Sequence, residues 1–316
     1  MLHQKPQVSV VVPVYNSAST LRRAVTSALR QSLGEIEILI VDDCSQDISL
    51  ALARELATVD NRIRILALPE NRGKAHAMNV AIGEASGAWV AVLDADDWYE
   101  PNRLEVLIAA ASSQCVTLAA DNQYFHDAGA NRIVRTAFPV TQGTQPLTRQ
   151  VLVAGSNPYA DFNYGMLKPI VRTDFLRRSA LSYRENARLS EDFLYLVEFY
   201  AVGGNGVLVN QPLYHWTQSF GAISRQWTTT GAGAWRYDFK SALEANANVL
   251  RELHGQRNRD LATLLAARAR AFRRLHHLTT LNRMRASGSS LPKILSVAAR
   301  HPAIWPLLAR RVFGTP

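Results

Sequence analysis

The residues best equipped for chemistry in this sequence are carboxylates in short clusters. Asp94-Ala95-Asp96-Asp97 is the densest, with Asp42-Asp43 before it and Glu191-Asp192 well after it. Hard oxygen ligands of this kind suit Mg2+ or Mn2+, which usually reach on to the phosphates of a substrate. Carboxylates also accept hydrogen bonds from sugar hydroxyls. A nucleoside diphosphate meets both demands, with phosphates for the cation and ribose hydroxyls for the carboxylates. An Asp-x-Asp on its own is common, and a lone Asp-Asp pair serves phospho-acceptor sites and helix caps equally well. What gives these clusters weight is where the chain puts them.

Residues 1–120 alternate between two periods. Val8–Val14, Glu37–Val41, Arg62–Leu68 and Ala88–Leu93 are β-branched or alternating runs that predict strands. Between them, Ser17–Ser32, Asp47–Thr58 and Lys74–Glu84 carry helical spacing, and Pro101 suits the first residue of a helix running to about Ala111. Four strand–helix units in a row predict an α/β fold, a mostly parallel sheet with helices on both faces. Ligands of such a sheet bind at the carboxyl ends of its strands. Those ends carry Pro13-Val14-Tyr15-Asn16, Asp42-Asp43 and Asp94-Ala95-Asp96-Asp97, so three distant segments converge on one edge. No loop of the GxGxxG or GxxxxGKS/T kind follows the first strand, which removes a dinucleotide fold and a P-loop.

Beyond Gln114 the regularity weakens. Cys115–Ala120 and Phe162–Val171 suggest further strands, Phe138–Asn157 reads as loop, Glu191–Ala201 as helix, and residues 206–216 as a strand pair or a strand and turn. From Gly233 the pattern is helical over Trp235–Leu253, Arg259–Leu281 and Leu291–Arg311, with Ser287–Ser290 as a hinge. The formal net charge of +9 follows the same division: −5 over residues 1–126, +3 over 127–250 and +11 over 251–316. Acidic residues therefore lie with the candidate chemistry and the basic excess in the last fifth; a nucleic-acid enzyme would more usually place its cations beside its chemistry. Two cysteines, Cys44 and Cys115, with no CxxC exclude a zinc ribbon or disulfide scaffold and fit a reducing, cytoplasmic setting. The N-terminal residues lack the apolar core of a signal peptide, and no apolar run reaches the ~18 residues of a transmembrane helix.

Four segments resemble the family 2 glycosyltransferases, inverting enzymes of the GT-A fold: SVVVPVYNSASTLRRAVTSALRQS, IEILIVDDCSQD, NRGKAHAMNVAIGEASGAWVAVLDADDWYEPNRL and LSEDFLYL. Their order and spacing match the family, and the likeness covers roughly residues 7–227. It implies a GT-A catalytic domain at 1–230, nucleotide-binding over 1–120 and acceptor-binding over 121–230, followed by a basic α-helical region at 231–316. It further implies that Pro13, Val14, Tyr15 and Asn16 line the nucleotide base pocket, that Asp43 beside Asp42 hydrogen-bonds the base or ribose, and that Lys74 lies near the nucleotide. In the Asp94-Ala95-Asp96 motif, Asp96 is implied as the metal ligand before Asp94, which suits the ribose better, while Asp97 caps the turn. Asp192 is implied as the catalytic base and Glu191 as its neighbour that positions the acceptor; the plainer reading is a helix start with Ser190 as N-cap. Arg225 falls where the family has a mobile loop over the diphosphate. His215 is a candidate for the metal or phosphate, although a histidine among aromatics more often packs. One departure is Ala77-Met78-Asn79, where the family often has Ala-Arg-Asn; losing that cation leaves the donor's identity open.

The expected activity is transfer of one sugar from a nucleotide-sugar, a UDP-sugar, to a glycan or lipid-linked acceptor in surface-polysaccharide assembly, with Mg2+ or Mn2+. Processive relatives carry Gln-x-x-Arg-Trp and membrane spans, whereas this chain reads Ser224-Arg225-Gln226-Trp227. Two other readings stand beside it: a sugar-nucleotidyltransferase, and a nucleic-acid-binding protein acting through its basic tail. Within the acceptor half, Asn163, Tyr164 and Lys168 are pocket candidates. In the tail, Arg268, Arg270, Arg273 and Arg274 interleave with Leu264, Leu265, Phe272 and Leu275. Such a helix either lies on an anionic membrane face, which would place the protein peripherally on the inner face of the plasma membrane, or packs on the catalytic domain or in an oligomer.

Overall fold

The computed structural model describes residues 5–156, 162–187, 190–218, 239–254, 258–301 and 305. Four parallel strands form the first half of the sheet: β1 (Val8–Val14), β2 (Ile36–Asp42), β3 (Ile63–Ala67) and β4 (Trp89–Val92), in the order β3-β2-β1-β4. Helices α1 (Leu21–Leu29), α2 (Ser49–Val59), α3 (Lys74–Glu84) and α4 (Arg103–Ser113) link and cover them. Successive side chains of β1 feed opposite layers. Val11 packs with Leu39, Ala77 and Met78 on the α3 side, while Val10 and Val12 pack with Ile38, Val25 and Leu107 on the other. Burial on both faces is why β1 and β2 read as continuous apolar runs rather than alternating ones.

Two helix starts differ from the sequence expectation. The chain over Ser17–Thr20 forms a turn before α1 begins at Leu21, and α4 begins at Arg103 rather than Pro101. In the second case the backbone before Arg103 is held by other elements: Glu100 N–H donates to Leu213 O at 2.9 Å, and Pro101 O accepts from Ser32 N–H at 2.8 Å.

Past α4 the sheet continues as β5 (Trp98–Tyr99, preceding that helix), β6 (Leu118–Asp127), β7 (Arg132–Thr136), β8 (Thr144–Leu147), β9 (Ile170–Arg172) and β10 (Gly206–Gln218), with α5 (Arg149–Gly155), α6 (Thr173–Ser179) and α7 (Glu191–Ala201) between them. The full order is β3-β2-β1-β4-β9-β6-β10-β5, with β7 on β6 and β8 on β10. β9 runs antiparallel to both β4 and β6 and so splices the two halves into one sheet. The segment expected as loop over Phe138–Asn157 holds β8 and α5. Residues 206–216 belong to one strand, not two; it is irregular against β6 around Pro212, which has no N–H to give the ladder.

The described part of the tail is helical: α8 (Phe239–His254), α9 (Arg259–Ala286) and α10 (Leu291–Ala299), with Gly288 at φ 72° turning the chain between the last two; of the residues expected as helix, 235–238, 302–304 and 306–311 lie outside the described residues. Of the two readings of α9, packing on the rest of the chain accounts for part of its stripe. Leu265, Arg268 and Phe272 are buried against the sheet-bearing body, because they fall on the same face as Leu261, while Arg270, Arg273 and Arg274 remain exposed. Arg184 joins Glu198 of α7 to Glu252 of α8. Among the described residues no helix is long and apolar enough to cross a membrane.

Candidate active site

The strand ends converge as expected, but several of their side chains spend their polar atoms on the scaffold. Val14 is buried, Tyr15 is 41% exposed, and Asn16 adopts a left-handed φ of 50°. Asn16 Oδ1 accepts from Gln46 N–H at 2.7 Å, which ties the β1 end to the loop after β2. Asp43 accepts from the backbone N–H groups of Arg72 (2.9 Å) and Gly73 (2.7 Å), fixing the turn that launches α3 at Lys74. Gly73 sits at φ 90°, where a Cβ would be strained. Asp42 is the freer of the pair: Oδ2 accepts from Ser45 N–H at 3.1 Å, whereas Oδ1 is buried with no hydrogen-bond partner. A buried lone acceptor at a strand end suits a base or ribose donor better than the doubly engaged Asp43.

At the centre, two lysines join the two carboxylate clusters. Lys74 Nζ lies 2.8 Å from Asp94 Oδ1 and 3.3 Å from Asp192 Oδ2; Lys168 Nζ lies 2.8 Å from Asp94 Oδ2 and 2.6 Å from Asp192 Oδ2. The Lys168 side chain is 5% exposed and both carboxylates 18%. Burial works against ionisation of Asp192, but Lys168 and Lys74 outweigh it and hold the carboxyl below its ordinary value. Asp94 is lowered in the same way, against burial, by Lys168 and Lys74. Burial would discharge both lysines, yet Asp192 and Asp94 reverse this and keep them charged. Asp192 Oδ1 is buried and accepts no hydrogen bond, so one basic lone pair stays open.

Asp96 differs from Asp94. Among the described residues its carboxylate enters no ion pair, and burial together with Asp94 pushes its pKa up. Its backbone is pinned instead, with Asp96 O accepting from Arg23 Nη2 (2.7 Å) and Thr217 Oγ1 (2.6 Å). Asp97 caps the turn as expected, accepting from Tyr214 Oη (2.6 Å) and Thr217 N–H (2.7 Å), while Ala95 is buried. Burial, with Asp96 and Asp94 adding repulsion, pushes Asp97 well above the carboxylate range. A carboxylate left unpaired and electrostatically stressed fits a divalent cation; Asp94, held by two ammonium groups, does not fit as its second ligand. No group of three or more His, Cys, Asp and Glu gathers for a metal among the described residues, so substrate phosphates and water would complete the shell.

Glu191 opens α7 and accepts from Ser190 N–H at 3.1 Å; burial and then Asp192 raise its pKa. His215 is a packed residue: its ring stacks on Trp98 (centroids 4.5 Å apart) and Tyr124 (4.8 Å), and Nε2 lies 2.7 Å from Glu100. Asn163 caps the short 3-10 turn Tyr164–Met166, and Tyr164 packs near Phe138 and Phe162. Arg225 lies outside the described residues. Sequence reasoning placed Lys168 in a pocket without its partners, and missed what holds it. Arg103 donates to Lys168 O and grips Asp121 through two hydrogen bonds of 3.0 and 2.7 Å, the pair being fully buried. Only the pairing of an apolar-helix Arg with an Asp inside a strand hinted at this.

Residues 9–171 match the sequence model of Glycosyl transferase family 2. The chain is 35% identical over 231 residues to the succinoglycan biosynthesis protein ExoO of Rhizobium meliloti (strain 1021), covering 70% of this chain and 63% of that one. It is 33% identical over 196 residues to ExoU of the same organism, covering 59% and 54%. The chain thus spans less than two thirds of the length of either relative. Among solved structures, S. aureus TarS 1-349 in complex with UDP-GlcNAc superposes with a TM-score of 0.67 at 19% identity, covering 91% of this chain and 77% of that one. The mannosyltransferase PcManGT of Pyrobaculum calidifontis, in complex with GDP-Man and Mn2+, gives 0.60 at 19% identity, covering 98% and 81%. These likenesses establish the GT-A architecture.

Proposed function

The chain belongs to glycosyl transferase family 2, and from that premise we propose that it is an inverting enzyme moving one sugar from a nucleotide-sugar, a UDP-sugar, to a hydroxyl of a glycan or lipid-linked acceptor in exopolysaccharide assembly. The observation that carries this reading is the junction of Asp192 with Asp94 through Lys74 and Lys168, which brings the candidate base to the strand ends where a nucleotide would bind. The relatives' names support the polysaccharide setting and the UDP-GlcNAc complex supports the donor class. The family match favours transfer over nucleotidyl chemistry or nucleic-acid binding.

In the proposed reaction the acceptor hydroxyl gives its proton to Asp192 Oδ1 as its oxygen bonds to the anomeric carbon. The bond from that carbon to the diphosphate breaks, its electron pair leaves on the diphosphate, and the configuration inverts. Asp42 Oδ1 is the open acceptor for the nucleoside. A divalent cation held at Asp96 would supply positive charge for the departing diphosphate. The chain's own Lys74 and Lys168 supply more.

For the acceptor, an anionic membrane surface remains the partner best matched to the tail. α10 packs through Ile294, Val297 and Ala298, leaving Leu291 and Leu295 exposed beside Lys293 and Arg300. Apolar side chains among cations suit the headgroup boundary. Titration calorimetry with UDP and Mn2+ tests the central reading: wild type should bind, and Asp96→Ala should lose the Mn2+-dependent part. GDP binding in place of UDP would correct the base while keeping the reaction class; binding of neither would overturn the proposal.

A further inference from the structure

The carboxylate proposed as base is already committed to other partners. Asp192 Oδ2 faces both Lys168 Nζ and Lys74 Nζ, and the same two ammonium groups hold Asp94. A carboxylate in two ion pairs is a weak proton acceptor, and an ammonium group in two ion pairs is a weak phosphate ligand. Neither does its work until they part. Four carboxylates, Asp94, Asp96, Glu191 and Asp192, act on these two ammonium groups, and among the described residues Lys74 and Lys168 are the lysines paired with Asp94 and Asp192.

A diphosphate at the strand ends offers both lysines a stronger, doubly charged partner. Lysine suits such an exchange because its charge is a point at the end of a flexible four-carbon arm, not a fixed fork. Lys168 is built for it: its carbonyl is anchored by Arg103, which Asp121 holds, so Nζ can change partners while the backbone stays put.

We infer that Lys74 and Lys168 form a phosphate clamp held in reserve by Asp94 and Asp192, and that the nucleoside diphosphate of the donor displaces Asp192 from it. This rests on the glycosyltransferase reading above and adds an order to it. Donor binding turns the lysines toward the leaving group and, by the same exchange, frees Asp192 to take the acceptor's proton. Without the donor the base stays neutralised, and an acceptor hydroxyl or water meets a carboxylate with little appetite for a proton.

Calorimetric titration of UDP, with Mn2+ present, into the full chain reads the exchange. Asp192→Asn should tighten UDP about tenfold, because the lysines no longer have to be won from a carboxylate. Lys168→Met should weaken UDP about tenfold, and in the Lys168→Met/Asp192→Asn double variant the tightening should shrink below about threefold. General repulsion between Asp192 and the phosphates would instead leave that tightening intact, which overturns the clamp. Unchanged or weaker UDP binding by an Asp192→Asn protein that unfolds at the wild-type temperature also overturns it, while leaving the transferase reading in place. Failure of wild type to bind UDP or GDP overturns both. Should Lys168→Met not fold, Lys74→Met takes its place with the same expected directions.

Discussion

The guanidinium of Arg268 lies 3.6 Å from the centre of the Phe193 ring, one residue beyond Asp192. It also donates to Ser156 O (2.8 Å) and Asn246 Oδ1 (3.0 Å), so one buried side chain of α9 joins α7, which carries Asp192, to α5's end and α8. Helices α8 and α9 are thereby tied to the body that holds the sheet. Arg268→Ala should cost about 3 kcal/mol, from a desolvated cation–π contact and a stranded carbonyl. Arg273→Ala, on the exposed face of the same helix, should cost less than about 0.5 kcal/mol. Urea unfolding compares them, and equal losses would contradict the docking.

Arg103 and Asp121 are a fully buried ion pair, packed under Tyr99 and Tyr214. Removing one partner leaves a naked charge in the core, so Asp121→Asn should cost about 3–5 kcal/mol, whereas the double change Arg103→Met/Asp121→Leu should recover most of it. Additive losses in the double variant would show that the charge is not the issue.

Glu37 on β2 should make folding sensitive to acid. Its Oε1 accepts from Ser9 Oγ (2.6 Å), Ser86 N–H (2.7 Å) and Ser86 Oγ (2.7 Å), and Oε2 lies 3.1 Å from Arg64. Burial opposes ionisation, but Ser9, Ser86 and Arg64 together bring the folded pKa below the ordinary 4.5. The folded value lies below the unfolded one, so this stabilisation is complete above 4.5 and vanishes as the pH falls through the folded value. Glu37→Gln should therefore cost about 1–3 kcal/mol near pH 7 and far less near pH 3. Denaturant midpoints at the two pH values check it; an identical penalty at both would disprove the linkage.

Two glycines should respond oppositely to alanine. At Gly87 a Cβ would stand 2.6 Å from Ser9 N and 2.7 Å from the Val8 carbonyl carbon, both backbone atoms of a buried strand. Gly87→Ala should cost about 2 kcal/mol or more. At Gly83, inside α3, nothing lies within 4 Å, and Gly83→Ala should gain about 0.5–1 kcal/mol. Thermal unfolding of the pair checks the signs.

The strands that the sequence disclosed were those whose side chains are buried on both faces. β1 and β2 announce themselves through runs dominated by Val, Ile and Leu, broken in the middle only by Ser9, Pro13 and Glu37, whereas β7 is almost wholly exposed and leaves no apolar period to detect. β5 is two residues long and exists through pairing with β10. At the site, the carboxylates were legible because they follow strand ends, but their division of labour was not. Asp43 spends its oxygens on the turn at Arg72 and Gly73, and Asp94 on lysines from α3 and from the run into β9, contacts fixed only when distant segments meet. The stacking of His215 between Trp98 and Tyr124 depends on residues far apart in the chain and left no local signal.

The Arg103–Asp121 pair also governs how this chain could be recombined with a relative. A chimera joined at residue 120, keeping this N-terminal half of the sheet and importing another chain's second half, would leave Arg103 facing whatever residue replaced Asp121. The graft would also sever the anchor of Lys168 O. A crossover placed before α4 carries Arg103, Asp121 and Lys168 over together, and is the one to choose for exchanging the second half of the sheet.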